Sequence, residues 1–424
     1  MRILLKNARI LKMVDDNIIE GHVVINNNII EQVGKDVDLN AKYDKVIDCE
    51  GNLLMPGFKN AHTHSAMTFL RSVADDSSLQ DWLFKEIFPR EANLHEGCIE
   101  DLAKVAILEY ITSGVTGCID QYFYITEFEK ACRDIGFRAI NLAMYNKDSR
   151  PKEMILNWYK NNKKDDLVQY EVSLHAEYTS TDEMFKSIQE ILKETKSPFY
   201  THLGETLKEH NDCIANRGMT TLSFFNSLGC FDYGGAIFHG VYLTDEDIKI
   251  LKEKNITVVS CPASNMKLAS GIAEIKKLLA NGVNVALGTD GPASNNALDM
   301  FREMYLVTGL QKILSKDPVS IPAFEVLKMA TVNGAMAMNL PNARYLDEGQ
   351  LADIIMIDLK RPSMQPINNI INNIVYSGSK DCVKMTMING KILYYNGEFL
   401  IDEKIDGIYR RAQELTEELK VIKA

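Results

Sequence analysis

Between about residues 53 and 312 the chain alternates short apolar runs, bounded by Gly, Pro or Asp, with longer stretches of helical periodicity. No other feature limits the fold as strongly. The runs are LLMPGFKNAHTH, TGCIDQYF, FRAINLAM, VQYEVSLHAE, PFYTHLGE, GGAIFHG, ITVVSCP and NVALGTD. ITVVSCP and NVALGTD are apolar almost throughout, as strands covered on both faces must be, whereas a sheet with one wet face alternates. Eight such strands separated by helices predict an α/β fold, a closed (β/α)8 barrel. Ser180 followed by Glu183, and Thr244 followed by Asp247, predict N-terminal caps. Gly114, Gly136 and Gly282 predict C-terminal stops.

The flanks read differently. Residues 1 to 57 alternate like half-exposed strands (ILLKNARIL, HVVINNNIIEQVG, KVIDCEG), and from 346 similar material returns as LADIIMID, CVKMTMING and KILYYNG. These ends are expected to pair into one small β module, dividing the chain into 1–57, a barrel over 58–345, and 346–424. Ile405, Ile408, Ala412, Leu415 and Leu419 stand at helical spacing and predict a last helix near 403 to 422, packed on that module.

Acidic residues outnumber basic ones, 58 to 47, for a net charge of -11. Nucleic acid and anionic membranes, which reward clustered Lys and Arg, are therefore not expected as partners. MRILLKNARI lacks the apolar stretch and cleavage site of a signal peptide, and no later segment approaches roughly 18 uninterrupted apolar residues, so a cytoplasmic protein is expected. The eight cysteines are scattered without a CxxC pair and read as reduced, buried small hydrophobes; Cys261 alone lies beside the expected pocket.

The histidines carry the chemistry. Of the eight, His62, His64, His175, His202 and His239 fall at the C-terminal ends of predicted strands, as does Asp290, while His22, His95 and His210 do not. Residues two apart on a strand share a face, so His62 and His64 can reach one ion. The strand ends of a parallel barrel converge on one rim, which brings His202 and Asp290 to the same point. An isolated HxH is an ordinary structural pattern; the register of His202 and Asp290 on later strands makes it a metal set. Three imidazoles and a carboxylate suit Zn2+, with Fe2+ or Mn2+ able to use the same donors, one divalent ion per subunit. Such an ion lowers the pKa of water from about 16 towards about 7. Asp290 is then placed to take a proton, His239 to orient the water, and Glu205, three residues beyond a ligand-type histidine, to donate a proton to a ring nitrogen. Each has a bland alternative: Glu205 as a solvated loop carboxylate, His175 as a core histidine satisfied by backbone.

PGFKNAHTH, YTHLGET, FHGVYL, SCPASNMKLASG and LGTDGPASNN, with DEGQLADIIMID after the barrel, resemble the methylthioadenosine and S-adenosylhomocysteine deaminases among the amidohydrolases. The resemblance runs through nearly the whole chain. It implies a barrel with a small β-sandwich built from both termini, a hydrolytic deaminase of purine nucleosides with one metal held by His62, His64, His202 and Asp290, and a homo-oligomer, dimer or tetramer. It also implies substrate contacts by Glu91, whose carboxylate would accept from ribose hydroxyls, and by His175, Ser294, Trp82 and Arg150. Relatives that take S-adenosylhomocysteine carry two arginines for its carboxylate; here Ala143 stands at the first position and Arg150 supplies the second. Ser260 and Gly240 also differ from residues common in relatives. Binuclear relatives use a carboxylated strand lysine, and none occurs in 115–124, 137–144 or 170–178, which favours one metal.

Two other readings remain at this level. One is an aminohydrolase or chlorohydrolase of guanine, a pterin or an s-triazine, since barrels change substrate through their loops. The other is a non-catalytic barrel scaffold, which predicts erosion at the metal and proton-transfer positions, all six of which are present.

Overall fold

A computed structural model describes residues 1–73, 75–76, 81–162 and 167–420. The first strands are β1 (Arg2–Leu11), β2 (Ile18–Asn26), β3 (Ile29–Gly34), β4 (Lys45–Asp48) and β5 (Leu53–Pro56). Then come β6 (Phe58–Thr63), β7 (Val115–Asp120), β8 (Ala139–Met144), β9 (Val168–Ser173), β10 (Phe199–Leu203), β11 (Gly235–His239), β12 (Ile256–Ser260) and β13 (Val285–Leu287). The last are β14 (Ile354–Ile357), β15 (Val383–Ile388), β16 (Lys391–Tyr395) and β17 (Glu398–Phe399).

Strands β6 to β13 pair in parallel, each with its sequence neighbour. The ring closes between its first and last strands, where Asp290 N donates to His62 O at 3.0 Å and Thr289 N to Asn60 Oδ1 at 2.8 Å. Ala61, Ile140, Leu142, Tyr200, Phe238 and Ala286 fill the interior, while Val115, Val172, Ile237 and Val258 join the surrounding helices in a larger outer core. Both faces of the strands are thus dry, which is why the runs read as continuously apolar. The expected barrel is present.

The first run is not one strand. Leu53–Pro56 belongs to the terminal sheet and Phe58–Thr63 to the barrel, with Gly57 between them. A Cβ on Gly57 would stand 2.1 Å from Thr116 Cγ2, so the chain can pass from one sheet to the other only at a residue without a side chain.

The terminal strands form one sheet in the order β17-β16-β15-β14-β5-β1-β2-β3, with β4 on β1. Its centre is the antiparallel pair β5 and β14, one strand from each end of the chain, and Ile3, Ile10, Val23, Leu54, Met356 and Met385 share its core. A buried ion group joins sheet to barrel. Asp353 accepts from Arg138 Nε at 2.7 Å and from Asn389 N at 2.8 Å, with Lys59 Nζ at 3.9 Å. At 0 to 3 % exposure these charges must be paired to be tolerated.

Two local expectations are corrected. The helix Asp182–Thr195 is capped by Thr181, whose hydroxyl accepts from Met184 N, while Ser180 donates to Ala176 O. The last helix, Ile405–Leu419, buries Ile408, Ala412, Leu415 and Leu419 against the barrel helix Ile99–Thr112 and the turn Ser65–Leu70 rather than on the terminal sheet. Residues 421 and 422 of that expectation lie outside the described residues. Thr244 and Asp247 do form a reciprocal capping box. All eight cysteines are free and buried. Among the described residues no helix is long and apolar enough to cross a membrane.

Candidate active site

The C-terminal rim of the barrel gathers ionisable groups into a buried cluster. His62 lies within β6 and His64 just beyond it, His202 lies in β10, His239 ends β11, and Asp290 follows β13. One ligand atom from each of His62, His64, His202 and Asp290 can be chosen so that all lie within 4.8 Å of one another. Asp290 Oδ1 is 3.2 Å from His64 Nε2 and 3.5 Å from His62 Nε2.

Backbone carbonyls fix the tautomers. His64 Nδ1 faces Gln121 O at 2.5 Å and His202 Nδ1 faces His175 O at 2.9 Å. A carbonyl only accepts, so each Nδ1 carries a hydrogen and each Nε2 is the atom left to face the centre. His62 is fully buried and neither ring nitrogen has a hydrogen-bond partner. Such an orphan costs ~1–3 kcal/mol, which a cation would remove. Donor types, proximity and the unsatisfied ring together fit a divalent cation.

Asp290 is held from behind. Its Oδ2 accepts from Ser264 Oγ and Ser294 Oγ, both at 2.7 Å, and its Oδ1 accepts from Gly291 N at 2.7 Å. Burial acts against its ionisation, yet the neighbouring imidazoles hold the carboxyl well below the usual range. Burial likewise acts against a charged His64, but the hydrogen bond and charge of Asp290 carry it up to about 9, while burial presses His62 down to about 3. A cation binding here therefore displaces a proton from His64.

Glu205 and His239 stand beside this cluster, the His239 ring centroid 5.5 Å from that of His202. Glu205 Oε2 is 3.9 Å from His239 Nε2, and His239 Nδ1 is 2.8 Å from Asn265 Oδ1. Burial raises Glu205 to about 7, so its acid form persists near neutral pH. Glu209, itself buried, clamps the turn by accepting from Gly204 N and Glu205 N, each at 2.8 Å. His239 and Asp290 have φ of 73° and 59°, a left-handed backbone that non-glycine residues adopt at a cost of ~1–3 kcal/mol.

These groups open into a cavity of about 250 Å³ whose lining includes Trp82, Glu91, Arg150, His175, Glu205, His239 and Asp290. His175 Nδ1 is 3.0 Å from Thr179 Oγ1, and its ring centroid lies 4.7 Å from that of His202. Trp82 is buried in the helix Trp82–Ile87, and Glu91 ends the adjoining helix Phe88–Glu91. Arg150 donates through Nε to Met144 O at 2.6 Å and lies over the Phe123 ring. It is the one Lys or Arg among the described lining residues, and Ala143 packs in the outer core while Met144 faces the cavity. Ser294 is placed differently from expectation: it is buried behind Asp290 and is absent from the lining.

The model of the amidohydrolase family matches residues 53–393. The chain belongs to the amidohydrolase family. It is 40% identical over 401 residues to a 5-methylthioadenosine/S-adenosylhomocysteine deaminase of Thermococcus sibiricus, covering 93% of this chain and 94% of the relative. It is 37% identical to a 5'-deoxyadenosine deaminase of Methanosphaera stadtmanae, covering 96% of each. A crystal structure of an adenosine deaminase from Xanthomonas campestris with bound zinc superposes at a TM-score of 0.92, with 29% identity, covering 99% of this chain and 98% of the other. As an amidohydrolase with deaminases as relatives, the protein is a hydrolase of C–N bonds that uses a divalent metal.

Sequence reasoning about this amidohydrolase missed Ser264, Glu209 and Tyr122. Ser264 lies in the motif SCPASNMKLASG and could have been noticed beside Cys261, but nothing local tells that its hydroxyl meets Asp290, 26 positions away. Tyr122 OH donates to Glu91 Oε1 at 2.6 Å across 31 positions, with no motif to announce it.

Proposed function

We propose that this amidohydrolase deaminates adenine nucleosides to the inosine analogue and ammonia, with 5'-methylthioadenosine, 5'-deoxyadenosine and adenosine as substrates and S-adenosylhomocysteine less favoured. The observation that carries the reading is a single cavity lined by His64, His202 and Asp290 of the metal-type cluster together with the acid Glu205 and Glu91. The names of the relatives support it.

His62, His64, His202 and Asp290 would hold one Zn2+, Fe2+ or Mn2+, whose Lewis acidity brings water ionisation to about pH 7. Glu205, protonated near neutrality because it is buried, gives its proton to the ring nitrogen beside the attacked carbon. Protonation there makes that carbon electrophilic. Asp290 accepts the proton of the attacking water, and His239, oriented by Asn265, polarises that water. After attack, the proton held by Asp290 passes to the exocyclic amino group, which leaves as ammonia while the new hydroxyl returns its proton to Glu205 and becomes the carbonyl. His175 contacts the purine, Trp82 walls the cavity, and Glu91 accepts from the ribose hydroxyls. Ser294 serves by fixing Asp290.

Substrate preference follows from charge. With Arg150 as the one guanidinium or ammonium group among the described lining residues and apolar Met144 beside it, a homocysteine carboxylate finds one charge-assisted contact in place of two. Such a contact contributes ~1.5–3 kcal/mol.

A panel of adenine nucleosides, free purines and pterins, followed by ultraviolet change and ammonia release, tests the reading. Nucleoside turnover that disappears on chelation and returns with metal is the expected result. Ring opening, dechlorination or turnover of free bases alone would overturn it. A specificity constant for S-adenosylhomocysteine at or above that for methylthioadenosine would sink the assigned preference.

A further inference from the structure

The dipeptide Gln121–Tyr122, directly after β7, touches two parts of the site at once. Gln121 presents its backbone oxygen to His64 Nδ1 at 2.5 Å, and its side chain donates through Nε2 to Leu174 O at 3.2 Å, which ties the turn to the end of β9. Tyr122 donates its hydroxyl to Glu91 Oε1 at 2.6 Å. The tyrosine is 4 % exposed, its ring packs on Phe123 at 5.1 Å between centroids and lies 6.2 Å from that of His64, so the hydroxyl has little room to wander.

Glu91 needs that partner. It ends a four-residue helix, Phe88–Glu91, too short to fix a side chain by itself. Among the described residues, Tyr122 is the one side chain that hydrogen-bonds its carboxylate. A long acidic side chain without such a contact samples several rotamers, and each wrong one removes the acceptor from its target.

We infer that Tyr122 is a positioning and specificity-determining residue, which locks the Glu91 carboxylate at a set distance from His64 so that the enzyme selects substrates with ribose hydroxyls. Because residues 121 and 122 are adjacent, one turn of backbone sets both ends of that distance. The metal end is fixed through His64 and the sugar end through Glu91. The inference rests on the adenine-nucleoside reading above.

The test compares kcat/KM of the metal-loaded enzyme for adenosine, 2'-deoxyadenosine and 3'-deoxyadenosine in the wild type, Tyr122→Phe, Glu91→Gln and the double variant. The wild type is expected to favour adenosine over both deoxynucleosides. Tyr122→Phe is expected to shrink that preference about tenfold, the scale of one charge-assisted hydrogen bond, through KM more than kcat. In the Glu91→Gln background it is expected to do nothing further, because Tyr122 acts through Glu91. Unchanged preference in Tyr122→Phe, additive effects of the two substitutions, or a wild type indifferent to the hydroxyls would each overturn the inference while leaving deamination intact. A wild type that turns over no adenine nucleoside overturns the functional reading and this inference with it. Should Tyr122→Phe not fold, Glu91→Asp, which draws the acceptor back by one methylene and leaves the ring in place, must give the same loss of preference; a retained preference there counts against the inference.

Discussion

Ser264 Oγ donates to Asp290 Oδ2 at 2.7 Å, reaching across from the helix Pro262–Lys267 that follows β12 to the loop that follows β13. Ser294 Oγ donates to the same oxygen, leaving Oδ1 to face His62 and His64. Glu303, 0 % exposed on the helix Met300–Ser315, braces both loops by accepting from Ala263 N at 3.0 Å and Asn295 Nδ2 at 2.8 Å. The orientation of one carboxylate thus depends on three separate segments.

Ser264→Ala removes a hydroxyl that touches neither substrate nor cation. Metal affinity or kcat/KM is expected to fall about 10–100-fold, the range for a group that orients a ligand from behind. Metal content after dialysis against a graded chelator, alongside ammonia release, checks it; affinity and activity both at wild-type level would refute the role.

Glu205→Gln keeps the shape and removes the proton donor. The expected result is a kcat lower by about 10²–10⁴ with KM for a nucleoside little changed, since general acid catalysis acts in the transition state. Steady-state kinetics at pH 7 decides it. A rise in KM at constant kcat would make Glu205 a binding residue instead.

Glu171, on β9, is 5 % exposed, and burial pushes its carboxyl from 4.5 up to about 8, against the hydrogen bond from Asn339. Between about pH 4.5 and 8 the folded protein keeps a proton that the unfolded chain releases, so this group's contribution to stability is full below about 4.5 and is lost as pH rises through about 8. Glu171→Gln, neutral at every pH, is expected to flatten the decline. Urea unfolding at pH 5 and pH 8 measures it, and equal slopes in variant and wild type would disprove the assignment.

Asp353→Ala leaves Arg138 and Lys59 buried without their shared carboxylate. A loss of about 3–5 kcal/mol is expected, the scale for breaking a buried ion pair by removing one partner. Denaturant unfolding reads this directly. A change under about 1 kcal/mol would mean that water or a rearranged side chain replaces the carboxylate.

The barrel was legible because strands buried on both faces write themselves as continuous apolar runs, a local signal that needs no knowledge of neighbours. His62, His64, His202 and Asp290 were legible for a related reason: the ends of parallel strands converge whatever their separation along the chain, so position at a strand end is enough to predict a meeting. What the sequence left open was direction. Whether Ser294 points at the cavity or at Asp290, whether Tyr122 reaches Glu91, and whether Glu209 closes on the Glu205 turn depend on rotamers and on left-handed backbone at residues such as His239, which long-range packing selects. The break of the first run at Gly57 belongs to the same class, because only the contact with Thr116 in the folded protein shows where one sheet must end and the other begin. Periodicity along a chain encodes which residues are inside; the tertiary structure alone decides which of them touch, since each such contact is made by side chains tens or hundreds of positions apart.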